Sequence, residues 1–241
     1  VESKPSSYGL IAYLPFDGST ENKVTESDIK PENKGATFEQ NGGKKNGYLV
    51  VRPSESPQFV TLGIPDSLKK KDLSVAFWVR MPEPQKGDPV LLGNKNWEDG
   101  KNAGVSLFVT PESMNKGNNV SLNVADVMKQ RIDVKQFNVA PNEWWFCAMT
   151  VNRSGNAAVY VGSPDGKLFF GSESLIGEDL GKPGPTLEDI TSTLPLNIGQ
   201  DGTGTYKNQL NADIDELRIW DRALTREEVK VLFADAATRS E

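Results

Sequence analysis

The chain has 241 residues, a length at which a β-sandwich often forms a single domain. Its 27 Lys and Arg residues stand against 33 Asp and Glu residues, so the net charge is -6 and no basic patch indicates a nucleic-acid partner. The absence of histidine excludes Ser-His-Asp and Cys-His catalysis, and no apolar run of about 18 residues predicts a membrane span.

Short runs of β-branched, aromatic and leucine residues alternate with clusters of Gly, Pro, Asn and Asp along the whole chain. This rhythm favours an antiparallel sandwich or barrel over residues 8–235, with tails at 1–7 and 236–241. Strands are predicted at Leu10–Pro15, Tyr48–Arg52, Gln58–Leu62, Leu73–Arg80, Pro89–Asn94, Gly104–Val109, Asn119–Val124, Trp144–Asn152, Ala157–Gly162, Lys167–Gly171, Leu194–Ile198 and Ala212–Trp220.

The segment Leu73–Arg80 (LSVAFWVR) shows the alternation of a half-buried strand. Its odd-numbered positions are apolar, and most of the others are small or polar. Trp78 is the exception, and it either packs under a loop or lines a groove. Cys147, the one cysteine, lies in an apolar run and is predicted to be a buried, inert thiol.

The last third of the chain predicts one long connection and one helix. Gly177–Thr193 is rich in Gly and Pro, so we expect a surface connection with a single helical turn at Leu187–Ile190. Thr225 and Glu228 have the spacing of a capping box, and an apolar stripe follows them. This short C-terminal helix is expected to dock on the sandwich edge.

The most distinctive run of the chain is ADIDELRIWDRALTREEV at Ala212–Val229. Together with four shorter segments, it resembles the laminin-G-like, pentraxin-related domains of the concanavalin A-like lectin and glucanase superfamily. The other matching segments are YLPFDG at Tyr13–Gly18, LSVAFWV at Leu73–Val79, EWWFCAMTV at Glu143–Val151 and AVYVG at Ala158–Gly162. The loops Asn94–Gly104 and Ile198–Tyr206 resemble those of bacterial members, notably from glycan-foraging gut Bacteroidetes.

The resemblance implies a two-sheet antiparallel jelly roll with one short C-terminal helix. Domains of this kind are often carried on larger secreted or cell-surface proteins, so the resemblance also implies neighbouring domains and an exported precursor, with a lipid anchor as one form of its attachment. Because the fold hosts lectins, adhesion modules, hydrolases and structural spacers, the family alone does not determine the function.

The last predicted strand, Ala212–Trp220, carries an acidic side chain that needs a hydrogen-bond or ionic partner. Strand alternation predicts that Asp215 shares the core face with Leu217 and Ile219, where an unpaired carboxylate would cost several kcal/mol.

The family often holds a structural Ca²⁺ in this region, and the resemblance assigns its ligands to Asp17, Asp215 and the carbonyl of Gly47. Asp213 is the reserve ligand if a bulge shifts the register. Alternatively, Asp17 caps its own turn and Asp215 accepts backbone amides.

A polar loop offers the chemistry of a glycan site, because amides and carboxylates bind hydroxyls while an indole covers the apolar face of a sugar. The alternative is an ordered hairpin connection whose Trp97 packs on its own strand. The predicted ligand-binding residues are Asn94, Asn96, Trp97, Asp99, Asp201 and Tyr206.

A retaining β-glucanase on this fold needs two carboxylates about 5–5.5 Å apart, typically from a Glu-x-Asp-x-Glu strand. The nearest run, Asn211–Glu216, begins with Asn in place of the first acid. The sequence therefore favours a non-catalytic carbohydrate-binding or adhesion module. A structural accessory domain without glycan binding is the alternative, and a polysaccharide hydrolase is the less favoured third.

Overall fold

The computed structural model describes residues 7–112, 117–179 and 182–238. Residues 1–6 and 239–241 of the expected tails lie outside them. In chain order the elements are β1 (Leu10–Leu14), β2 (Glu32–Lys34), β3 (Thr37–Glu39), β4 (Tyr48–Val51), β5 (Phe59–Thr61), a 3-10 turn (Asp66–Leu68), β6 (Leu73–Arg80), β7 (Val90–Gly93), β8 (Gly104–Glu112), β9 (Gly117–Ala125), β10 (Arg131–Val139), β11 (Trp145–Val151), β12 (Asn156–Gly162), β13 (Leu168–Ser174), β14 (Ile176–Asp179), β15 (Lys182–Thr186), β16 (Asn197–Ile198), β17 (Ala212–Trp220) and α1 (Arg226–Thr238).

These strands form two large antiparallel sheets. In the described residues, one sheet has eight strands in the order β13-β12-β11-β6-β17-β4-β3, with β1 also paired to β17. The other has seven strands in the order β10-β9-β8-β7-β16-β5-β2. The predicted two-sheet sandwich with one short helix is confirmed. No described helix is long and apolar enough to cross a membrane.

The main core lies between the two sheets, and strand β6 shows how the sequence builds it. Val75, Phe77 and Val79 are each 1% exposed and point into this core, as the alternation predicts. The neighbouring β11 contributes Cys147, which is fully buried, and burial raises the pKa of its thiol to about 12. The predicted inert thiol is therefore confirmed.

A second apolar cluster covers the outer face of the eight-stranded sheet. Trp78 packs there against Phe146 and Phe233, with ring centroids 5.7 and 6.1 Å away. Trp78 is thus packed, as the first alternative predicts, although a helix and not a loop covers it. Val229 and Leu232 of α1 belong to the same cluster, so the expected docking of the helix on the sandwich edge is wrong.

The capping box at the start of α1 is confirmed. The Glu228 amide donates to Thr225 Oγ1 at 3.2 Å, and the Thr225 amide donates to Glu228 Oε2 at 2.8 Å. Arg222 also pairs with the Glu228 carboxylate. The pKa of Glu228 is lowered to about 2, and this pairing is the largest cause of the shift.

Removing the cap should weaken the end of the helix. We expect Thr225→Ala to lower the free energy of unfolding by about 1 kcal/mol, because one amide of the first turn loses its acceptor. Urea denaturation measures the change. Thr225→Ser, which keeps the hydroxyl, should recover most of it, and an equal loss in both variants would contradict a capping role.

Two expectations about the chain path are wrong. The connection Gly177–Thr193 contains the hairpin β14–β15, and Leu187–Ile190 has no helical turn. The sequence reasoning also missed β2, β3 and β10. β2 and β3 are three-residue strands made mostly of exposed polar side chains. In β10 a register shift between Val134 and Phe137 breaks the apolar alternation.

The edge strands β10 and β13 belong to different sheets and meet along one side of the sandwich. The rings of Phe137 and Phe169 are 6.2 Å apart between centroids. Gly171 lies so close that a Cβ built on it would stand 3.0 Å from the Cβ of Lys135. This contact fixes β10, whose outer residues line the groove described below.

Candidate functional site

Asp215 lies on the outer face of the eight-stranded sheet, directly across from Trp78. The expected position on the core face with Leu217 and Ile219 is wrong. Glu216 adopts a left-handed conformation with φ 54° and forms a bulge, so the register with β6 shifts between Asp215 and Arg218. The bulge reverses the alternation and places Asp215 beside the loop that precedes β4.

The Asp215 carboxylate is completely buried, and its two oxygens differ. Oδ2 accepts the backbone amides of Lys44 at 2.6 Å and Lys45 at 3.1 Å. Oδ1 is buried without a hydrogen-bond partner among the described residues. Burial raises the pKa of Asp215 to about 7. The amide-binding alternative therefore accounts for one oxygen and leaves the other unsatisfied.

The other two predicted ligands lie at the same place. Asp17 is exposed, and its Oδ1 accepts the Gly47 amide at 3.0 Å. A Cβ built on Gly43 would stand 2.3 Å from the Gly47 carbonyl oxygen and 2.7 Å from Asp215 Oδ2, so only glycine leaves room between those oxygens. We call Asp17, Gly43, Gly47 and Asp215 the carboxylate cradle.

The carboxylate cradle fits a hard cation such as Ca²⁺. Calcium takes six to eight oxygen ligands, and carboxylates, carbonyls and water all serve. The unpaired Asp215 Oδ1 is one such oxygen, and the Gly47 carbonyl, which faces Asp215 Oδ2 across Gly43, is another. Nowhere in the described ranges do three or more His, Cys, Asp or Glu side chains form a metal-binding group, so carbonyls and water would complete the shell.

Asp213, the reserve ligand, has another role. It bridges two arginines, with Oδ1 2.5 Å from Arg52 and Oδ2 2.8 Å from Arg80. The guanidinium of Arg80 also lies over the rings of Tyr48 and Trp144, at 5.0 and 4.7 Å. Asp213 therefore forms ion pairs with two cations on the outer sheet face and offsets one of their two charges.

The predicted glycan loop is internally bonded. The Trp97 ring is 7% exposed and stacks on Phe108 at 4.6 Å, and its indole N–H donates to the Asp88 carbonyl. Asn96 binds Asn102 through its backbone, and Asn94 Oδ1 accepts the Val105 amide at 2.8 Å. The structure favours the packed-hairpin alternative for Trp97.

The two residues predicted to join this loop are buried beneath it. Asp201 accepts the Trp97 amide at 2.9 Å and, through its other oxygen, the amides of Thr203 and Gly204. The Tyr206 hydroxyl donates to the Asp88 carboxylate. Asp99 is the one predicted residue of the loop whose side chain is exposed. Glycan contacts by this set stay a prediction.

A groove of about 480 Å³ crosses the outer face of the seven-stranded sheet beside this loop. We call it the outer groove. Phe108 is partly exposed and provides an aromatic surface, while hydroxyl, carboxylate and cationic groups surround it. Its lining residues are Phe108, Thr110, Ser121, Arg131, Asp133, Val134 and Lys135. None of them was predicted as a site residue.

A chain of hydrogen bonds from Lys95 through Asn123 and Asp133 to Arg131, which we call the relay, runs beneath the outer groove. Lys95 is fully buried, and its ammonium donates to the Gly100 carbonyl at 2.7 Å and to Asn123 Oδ1. Asn123 Nδ2 donates to Asp133 Oδ1 at 2.9 Å, and Asp133 pairs with Arg131 at 2.7 Å. Burial first, and then the charge of Arg131, lowers the pKa of Lys95 to about 7.

Sequence comparison assigns the family of this fold. The laminin G model described as the Concanavalin A-like lectin/glucanases superfamily matches residues 53–230. The chain belongs to this superfamily. No curated protein matches it in sequence.

Solved structures share the fold of this concanavalin A-like domain. The binding domain of Paraclostridial Mosquitocidal Protein 1 is 18% identical with a TM-score of 0.66, over 95% of this chain and 52% of that one. The Botulinum Neurotoxin serotype G binding domain is 18% identical with a TM-score of 0.65, over 94% and 51%. The binding domain of Botulinum Neurotoxin DC in complex with SialylT is 14% identical with a TM-score of 0.67, over 95% and 51%.

The concanavalin A-like domain thus spans about half the length of these neighbours, and identities this low establish the fold alone. All three are titled as binding domains. Within this chain, the outer groove and the carboxylate cradle lie on different sheets, so a ligand in the groove and a cation in the cradle would not compete for the same side chains.

Proposed function

We propose that this concanavalin A-like domain is a non-catalytic carbohydrate-binding or adhesion module of a secreted or cell-surface bacterial protein, and that it binds glycan in the outer groove. The observation that carries the proposal is the groove itself. It combines the partly exposed ring of Phe108 with the hydroxyls of Thr110 and Ser121 and the charged groups of β10. An aromatic surface among hydrogen-bonding groups is the composition that sugar sites use.

The groove also supports binding without hydrolysis. Among the lining residues that the structure describes, Asp133 is the one carboxylate, and it is already paired with Arg131. A retaining hydrolase needs a second carboxylate about 5–5.5 Å away, and an inverting one needs a second at about 6.5–9.5 Å. The titles of the neighbouring structures as binding domains point in the same direction.

We propose in addition that the carboxylate cradle holds a structural Ca²⁺. Asp215 and the Gly47 carbonyl would bind the ion directly, and Asp17 would add a carboxylate from the exposed side. The ion would supply the positive charge that the buried Asp215 Oδ1 lacks. Gly47 lies in the loop before β4, and Asp215 lies in β17. An ion bound to both residues would therefore hold that loop against the sheet.

Glycan binding is tested with a variant that removes the aromatic surface. We expect Phe108→Ala to weaken binding to the best glycan of an array about 10-fold, which corresponds to about 1.4 kcal/mol. Isothermal titration calorimetry on that glycan measures the affinity, and the melting temperature confirms that the variant is folded.

Phe170→Ala is the matched control. Phe170 is 39% exposed and stacks on Tyr160 in the other sheet, away from the groove. Its removal should leave the affinity unchanged. If the wild-type domain binds no glycan on the array, with or without Ca²⁺, the proposed function is wrong.

A further inference from the structure

The outer groove has an excess of positive charge although the chain as a whole carries a net charge of -6. Arg131 and Lys135 line it, and Asp133 between them is the one acidic lining residue. The buried ammonium of Lys95 lies beneath it. The local balance is therefore opposite in sign to that of the whole chain.

Arg131 keeps part of its guanidinium available. Its Nε and Nη2 donate to Asp133, at 3.2 Å and at 2.7 and 2.9 Å. Nη1 donates no hydrogen bond to any described residue. The two-point ion pair with Asp133 orients the Arg131 guanidinium before any ligand binds, and it leaves Nη1 without a hydrogen-bond acceptor in the described part of the chain. The side chain therefore loses little conformational entropy when a ligand binds.

The relay holds this arrangement in place. Asp133 Oδ1 is fixed by Asn123 Nδ2, and Asn123 is fixed by Lys95, whose ammonium also binds the Gly100 carbonyl. Gly100 in turn lies against Arg131, since a Cβ built on it would stand 3.2 Å from Nη1. The position of the guanidinium is thus set from two sides.

Lys135 is the second accessible cation. It is exposed, and no ion pair to it forms within the described ranges. Its stem is braced by Gly171 of β13. Arg131 and Lys135 lie on the same face of β10, four residues apart, so their Cα atoms are separated by about 13 Å along the strand. Because Arg131 is already held on Asp133 and against Gly100, it is not free to converge with Lys135 on one small anion.

We propose that the outer groove selects an acidic oligosaccharide with negative groups, carboxylates or sulfates, on more than one sugar unit. One group binds Arg131 Nη1 and another binds the Lys135 ammonium, while Phe108 contacts the sugar between them. This inference rests on the proposed glycan-binding function and adds the class of the ligand.

The test compares acidic oligosaccharides with their neutral counterparts. The probes are an oligogalacturonate with its fully methyl-esterified form, and a sulfated galactan oligosaccharide with its desulfated form. Titration at about pH 6, below the pKa of Lys95, keeps the relay charged. We expect at least one acidic probe to bind 10-fold or more tightly than its neutral partner, and the difference to shrink as salt is added.

Variants locate the effect. Lys135→Gln leaves the relay intact and should weaken binding of the acidic probe about 5-fold to 10-fold, and Arg131→Gln at least as much. Lys230→Gln is the matched control, because this exposed lysine lies on α1 over the other sheet. It should change nothing.

The outcomes separate the two levels of the proposal. Equal affinity for acidic and neutral probes, or binding of neutral array glycans alone, overturns the selectivity and leaves the glycan-binding function standing. Loss of acidic binding in Lys230→Gln equal to that in Lys135→Gln also overturns it. An array without any bound glycan overturns both.

Discussion

Replacing Asp215 with asparagine is expected to abolish the rise in melting temperature that Ca²⁺ gives the wild-type protein. A ligand present at 100 times its dissociation constant, and bound only by the folded state, adds about 2.7 kcal/mol to the free energy of unfolding. For a chain of this size that is a rise of roughly 5–10 °C. Differential scanning calorimetry with EDTA and with Ca²⁺ measures it.

The stability of the same variant without Ca²⁺ is a second test. In EDTA we expect Asp215→Asn to be no less stable than the wild type, because it removes a buried carboxylate with one unsatisfied oxygen. If the side chain served only to accept the amides of Lys44 and Lys45, Asn would still accept them through its Oδ1, and the difference from the wild type would be the same with and without Ca²⁺.

A glycine pair tests the geometry of the carboxylate cradle. Gly43→Ala would push a methyl group into the space between Asp215 and the Gly47 carbonyl, so the Ca²⁺ effect should disappear. Gly184→Ala is the control, since the nearest atom to its Cβ is 3.5 Å away. If the wild-type melting temperature is identical in EDTA and Ca²⁺, the structural ion is excluded.

Trp78→Ala should lower the free energy of unfolding by more than the loss of the Ca²⁺ effect does. Trp78 is 3% exposed and joins β6 to α1 through Phe146 and Phe233. Removing a buried tryptophan costs about 3–5 kcal/mol through lost burial and the cavity left behind. In a chain of this length the melting temperature should fall by roughly 6–20 °C.

Trp78→Phe keeps an aromatic ring in the same cluster and should cost less than half as much. Urea denaturation of both variants gives the two free energies of unfolding. A loss below about 1 kcal/mol for Trp78→Ala would mean that α1 does not depend on this side chain, contrary to the packing described above.

The fold was predictable where apolar alternation is regular. The alternation in Leu73–Arg80 predicts which side chains enter the core, and the capping box predicts where α1 begins. The alternation fails where the backbone inserts a residue. Glu216 in its left-handed conformation turned Asp215 to the opposite face, and nothing in the residue types around it announces a bulge.

The candidate site was only partly predictable for a related reason. The family resemblance brought Asp17, Gly47 and Asp215 to one place, although strand alternation gave Asp215 the wrong face. The outer groove was missed together with β10. Its signal was nevertheless present: charged residues at 131, 133 and 135 alternate with Ile132 and Val134, as on a strand with one solvated face.

The predicted glycan loop shows why composition does not decide how polar groups are used. Amides, carboxylates and an indole in one segment suit a sugar, but the same groups also satisfy a loop's own backbone. Asp201 and Trp97 do so through their mutual hydrogen bond. Composition alone cannot distinguish these uses, because only the three-dimensional arrangement shows which polar groups remain free.

The way the two sheets end bears on how the domain behaves at high concentration. Open sheet edges are templates for pairing with a second chain, and so for aggregation. Here β10 and β13 shield each other through Phe137 and Phe169. At the opposite ends, β2 and β3 are only three residues long and carry exposed charges. At these ends of the described sheets, a second copy of the domain therefore meets no long, uncharged strand with which to pair.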